Sequence, residues 1–117
     1  MKKVFHLKTC STCIRIIKEI NWPKDIQFQN IKEENLNKKE LAAIVKNVGS
    51  YEDLFSRRAM KYKSMGLKDK TLTEKDYQKL ILEEYTFLKR PVVVYNDQVF
   101  VGNSKKVVEE LKAYFKN

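Results

Sequence analysis

The two cysteines of the chain, Cys10 and Cys13, are separated by Ser11 and Thr12. Residues three apart in a helix lie one turn above each other, and a Cα separation of ~5 Å suits a disulfide. If a helix starts at this pair, unpaired amides and the positive end of the helix dipole stabilise the first sulfur as a thiolate. Such motifs lower a thiol pKa from ~8.5 into the range ~3.5 to 7.5. Cys10 is then the nucleophile and Cys13 the resolving thiol of a thiol–disulfide exchange. His6, four residues before Cys10, is the one histidine of the chain. As an imidazolium near the same sheet edge it would lower the Cys10 pKa further, and it is equally suited to being a structural strand residue. Metal is the competing use of the pair. A closed structural zinc site takes about four ligands, and Cys10, Cys13 and His6 supply three, so no metal is expected unless two chains share a site. The two thiols could also be small apolar filler on a helix.

The elements around the pair place it at a strand-to-helix junction. Lys3 to Leu7 reads as a short buried strand, and Ile14, Ile17 and Ile20 stripe one face of a helix that Asn21-Trp22-Pro23 closes. Asp25 to Ile31 alternates apolar and polar residues as a strand with one buried face. Asn37 with Glu40 is a capping signal for a helix carrying Leu41, Ile44, Val45 and Val48, which Gly49 can end. Ser50 with Asp53 and Thr73 with Asp76 start further helical segments. Arg90 to Tyr95, the turn Asn96-Asp97 and Gln98 to Val101 read as a β-hairpin. Gly102-Asn103-Ser104 then opens a last helix bearing Val107, Val108, Leu111, Tyr114 and Phe115. The order βαβα, two helices, ββα predicts an α/β protein with helices on the faces of a small sheet.

The 117 residues carry a net charge of +9, with 43% hydrophobic residues. That is long enough for one core without disulfides or a structural metal, too apolar for disorder, and free of the ~20-residue apolar run of a membrane helix. No membrane association is expected. Lys8, Thr9 and Ser11 interrupt the apolar start before a signal-peptide core forms, so the expected address is the cytoplasm, where thiols stay reduced. Arg57, Arg58, Lys61, Lys63, Lys68 and Lys70 form the densest basic cluster. With acidic pairs scattered through the chain, it reads first as a solvated lysine-rich surface and second as a docking face for an acidic protein. No helix-turn-helix or zinc module accompanies the charge, and direct nucleic-acid binding is not expected.

The order and spacing of several segments resemble the bacterial arsenate reductase and Spx family. The carriers are Val4-Phe5-His6 leading to Cys10-Ser11-Thr12-Cys13, Tyr62-Lys63-Ser64-Met65-Gly66-Leu67, Phe87-Leu88-Lys89-Arg90-Pro91-Val92-Val93-Val94, and Val101-Gly102 before the last helix. The resemblance implies one thioredoxin-like domain over residues 1–117, of the glutaredoxin βαβ…ββα type, with a helical insertion between the second and third strands at about 37–86. It implies that Pro91 is a cis proline facing the thiols and that Arg90 contacts an oxyanion near Cys10. Glutathione or thioredoxin would be the electron donor, and a small thiol or protein disulfide the partner. Ser56 and Asn103 stand where the family's arsenate reductases carry further arginines, and Ile14 stands where another is expected, with Arg15 one place late. Arg57 or Arg58 would have to replace the first, so arsenate reduction is expected to be very weak or absent. The leading expectation is a cytoplasmic thiol–disulfide redox protein. The alternative is an Spx-like redox sensor that regulates transcription by binding the RNA polymerase α subunit.

Overall fold

Both ends of the sequence supply strands to one sheet: β1 (Lys2–His6), β2 (Gln27–Asn30), β3 (Val92–Tyr95) and β4 (Gln98–Val101). Their order is β2-β1-β3-β4, with β2 parallel to β1, and with β3 antiparallel to both β1 and β4. The parallel pair requires a crossover, which the helix α1 (Ser11–Glu19) provides. The antiparallel pair needs only a two-residue turn, and Asn96 takes φ +57° there. This computed structural model describes residues 1–116.

The chain forms two units, one made of Met1–Glu34 and the segment from Arg90 onward, the other of Asn35–Lys89. In the first unit, Val4 and Val93 of the sheet meet Ile16 of α1 and its C-cap Ile20, and Val108 and Leu111 of the C-terminal helix and its C-cap Phe115, with Trp22 packed against the cluster. That last helix is α5 (Lys105–Tyr114), and the Ser104 hydroxyl caps it by accepting from the Val107 amide. Asn35–Lys89 contains α2 (Lys38–Val48), α3 (Met60–Ser64) and α4 (Glu74–Glu83) with short 3-10 turns between and after them. Full capping boxes at Asn37/Glu40 and Thr73/Asp76 fix the starts of α2 and α4, and Gly49 ends α2 at φ +111°. Phe55 stacks on Phe87 and meets Tyr77 edge-on, each at 4.9 Å between ring centres.

Three expectations need correction. The buried stripe is Cys13 and Ile16 of α1 with its C-cap Ile20, whereas Ile14 is 41% exposed and Ile17 half-buried. The phase is set by Cys13 turning inward, and the 13, 16, 20 spacing satisfies a helical face as well as the isoleucine stripe does. In β2 the alternation is reversed in part: Phe28 is 45% exposed and Gln29 only 7%. Gln29 is satisfied by donating Nε2 to the Glu34 carbonyl at 3.0 Å and accepting from Lys3 Nζ at 3.1 Å. Phe28 remains outside as an aromatic lid against Trp22, 5.6 Å away. Ser50 with Asp53 starts a single 3-10 turn, Glu52–Leu54, and no longer helix. Among the described residues no helix is long and apolar enough to cross a membrane.

Candidate active site

Cys10 is the N-cap of α1, where Ser, Thr, Asp or Asn usually places an oxygen over the first amides. Its amide donates to the Leu7 carbonyl at 3.0 Å, and its carbonyl accepts the first helical bond from Ile14 at 3.0 Å, so the backbone on both sides of the sulfur is pinned. As a neutral thiol the side chain makes no capping bond. Ionised, it is met by the backbone of Cys13 and Thr12, by the Arg90 side chain and by the Cys13 thiol. Burial is the largest single influence on Cys10 and opposes ionisation, yet these donors together outweigh it and hold the pKa below the ordinary thiol range.

Cys13 behaves in the opposite way. It is fully buried, and burial, followed by the neighbouring Cys10 charge among the raising influences, pushes its pKa up to about 11 against the lowering effects of the Leu7 backbone and of Arg90. Both cysteines are free thiols. One helical turn therefore holds two thiols of unlike character, one half-buried and ready to ionise, the other enclosed and protonated.

Arg90 reaches this pair from the entrance to β3. The Arg90–Pro91 peptide is cis, and Pro91 is buried. The Arg90 carbonyl accepts from Asn103 Nδ2 at 3.1 Å, and the Pro91 carbonyl from the Gly102 amide at 2.9 Å. Gly102 sits at φ +91°, a backbone that a side chain would strain. Arg90 Nε is buried without a hydrogen-bond partner among the described residues.

The other candidates divide. Thr12 contributes its backbone to Cys10, and Ser11 is an exposed first helical residue. His6 lies edge-on to Phe28 at 6.0 Å, and burial lowers its pKa, which favours the neutral ring over the imidazolium. Arg15 is exposed on α1. Arg57 belongs to the Asn35–Lys89 unit, where Nη2 binds Glu52 at 2.8 Å and Tyr77 Oη at 3.0 Å, and the guanidinium lies over the Tyr77 ring. In the same unit Arg58 is exposed, and its amide donates to Ser56 Oγ at 3.4 Å. Sequence reasoning did not find the part played by the Leu7 backbone, which has no residue-type signature, and it read Asn103 as part of a helix start and as a missing cation. Among the described residues no three His, Cys, Asp or Glu side chains cluster as metal ligands.

The sequence model of the ArsC family matches residues 5–111. An ArsC family related protein from Bacteroides fragilis is 28% identical, superposes with a TM-score of 0.75, and the match covers 96% of this chain and 98% of that one. An arsenate reductase (ArsC) related protein from Brucella melitensis is 25% identical with a TM-score of 0.66, covering 100% and 97% of the two chains. An arsenate reductase from Vibrio cholerae, 22% identical, has a TM-score of 0.76 over 94% of this chain and 98% of its own. The last likeness is one of fold, and it agrees with the thioredoxin-like sheet. Among curated proteins no sequence matches.

Proposed function

The chain belongs to the ArsC family, and from that premise we propose that it is a thiol–disulfide oxidoreductase in which Cys10 attacks and Cys13 resolves. The observation that carries this reading is the opposed setting of two thiols in one helical turn: Cys10 ionises readily beside Arg90 while Cys13 is enclosed and keeps its proton. An attacking thiol works best with a pKa near ambient pH, and a protonated neighbour cannot compete with it for substrate.

In the reductive direction the Cys10 thiolate attacks one sulfur of a disulfide R–S–S–R′. A Cys10–S–S–R bond forms, the substrate S–S bond breaks, and R′S⁻ leaves with the electron pair. Cys10 is then uncharged, so one of the influences that raised the Cys13 pKa is gone. Cys13 gives its proton to solvent or to the departing thiolate and attacks the Cys10 sulfur. The products are a Cys10–Cys13 disulfide and RS⁻, two electrons having passed to the substrate. An external thiol donor such as glutathione or thioredoxin returns the pair to the dithiol by the same exchange in reverse.

The test challenges the pre-reduced protein with a small glutathione disulfide, follows formation of the internal disulfide by mass spectrometry, and measures turnover with glutathione or thioredoxin as donor. Turnover that needs Cys10 and passes through the Cys10–Cys13 bond is expected. Turnover indifferent to Cys10→Ser overturns the reading. So does an internal disulfide that forms without turnover while the protein captures the RNA polymerase α subunit, which is the behaviour of a sensor.

A further inference from the structure

Arginine has a long, flexible side chain, and a guanidinium that is to stand beside one sulfur must be held either by its own head group or by its backbone. In Arg90 the Nε edge of the head group lends no anchor, since Nε is buried without a hydrogen-bond partner among the described residues. The backbone is tethered instead, and by an arrangement that extends the β3–β4 ladder past its last strand residues. The hairpin register pairs Val92 with Val101. Continuing that register sets Pro91 against Gly102 and Arg90 against Asn103. The first of these pairs is joined by the Gly102 amide at 2.9 Å from the Pro91 carbonyl. In the second, the Asn103 side chain takes over from the main chain, with Nδ2 donating to the Arg90 carbonyl at 3.1 Å.

We propose that Asn103 is a positioning residue: its side-chain amide supplies the final rung of the hairpin ladder and thereby holds Arg90 beside Cys10. The role rests on the redox reading above, and it gives the neutral residue at 103 a function of its own. An asparagine is short enough to reach the opposite carbonyl while its own backbone turns away toward the Ser104 cap of α5. The route of action runs from Asn103 through the Arg90 main chain to its guanidinium and then to the sulfur. It therefore requires Arg90, and a purely structural role would not.

The experiment measures the pH profile of Cys10 alkylation by iodoacetamide in the full-length protein, with the modified site identified by mass spectrometry. Cys13 and Arg90 are the titratable or charged groups that act on Cys10 here, and Cys13, buried with a pKa of about 11, stays unreactive over the range used. Asn103→Ala, Asn103→Gln, Arg90→Met and the double variant Asn103→Ala/Arg90→Met are compared with wild type. Loss of one exposed neutral hydrogen bond should raise the Cys10 pKa by about half a unit, and so slow alkylation at low pH about threefold. Asn103→Gln, which keeps a donor, should recover most of this, and in the Arg90→Met background Asn103→Ala should have no further effect. Thermal melting verifies that each variant is folded. A shift of equal size with and without Arg90 overturns the positioning role, and so does no shift in Asn103→Ala while Arg90→Met shifts. If neither single variant moves the profile, the assignment of Arg90 to the Cys10 thiolate fails as well.

Discussion

Replacing Arg90 by methionine keeps an unbranched stem of similar length and removes the guanidinium. A hydrogen bond to a charged group contributes ~1.5 to 3 kcal/mol. Cys10 is only half-buried, so the lower end applies. At ~1.4 kcal/mol per pH unit, the Cys10 pKa should rise by about one unit. Below that pKa the thiolate fraction falls about tenfold, and alkylation and disulfide attack slow in proportion. Stability should respond differently. The folded-state pKa of Cys10 is depressed, so its ionisation stabilises the native state above the unfolded pKa, and this contribution is lost as pH falls through the folded pKa. Melting measured below the Cys10 pKa that the alkylation profile reports, where the thiol is protonated in the native and unfolded states alike, therefore excludes the lost thiolate contact. What remains is removal of a buried Nε–H that has no partner among the described residues, a group whose desolvation costs ~1 to 3 kcal/mol. Arg90→Met should then melt at the wild-type temperature or a few degrees higher. The assay pairs an alkylation pH profile with calorimetry. An unchanged Cys10 profile refutes the guanidinium–sulfur interaction, and a melting point several degrees lower at acid pH refutes the account of Nε.

Cys10→Ser should abolish disulfide reduction, while Cys13→Ser should accumulate a mixed disulfide with the substrate that mass spectrometry detects; equal trapping by both variants contradicts the assigned roles. Cys13 has a raised native pKa, so its stabilising effect is complete below the unfolded thiol pKa and fades as pH climbs toward about 11. Urea denaturation should accordingly show wild type losing stability over that alkaline window and Cys13→Ala losing less. Arsenate turnover should be very weak, because Ser56 and Asn103 are neutral, Arg57 is held by Glu52 and Tyr77, and a neutral donor does not offset the charge of an arsenate adduct. Robust glutathione-dependent arsenate reduction by the wild-type protein would refute this.

The features legible in the sequence are those whose cause is local. Asn37 with Glu40 and Thr73 with Asp76 announce their helices because a capping box is a bond between residues three apart, and Gly49 ends α2 because only its own backbone must turn. The same holds for the hairpin turn at Asn96 and for the thiol pair, whose spacing and place at a helix start are properties of one short segment. Packing and contacts between separate elements decided the rest. The phase of α1 follows from Cys13 turning inward, which no count of isoleucines reveals. Gln29 is buried because Lys3, on the neighbouring strand, and Glu34 satisfy its amide, and Phe28 stays outside against Trp22. Arg57 is committed by Tyr77, 20 residues on. Asn103, 13 residues from Arg90, acquires its bond only when the hairpin register brings the two opposite each other. Residue type and spacing thus determined which groups could react, and the folded chain decided which of them are charged, enclosed or held, because those properties depend on neighbours that only tertiary contacts bring together.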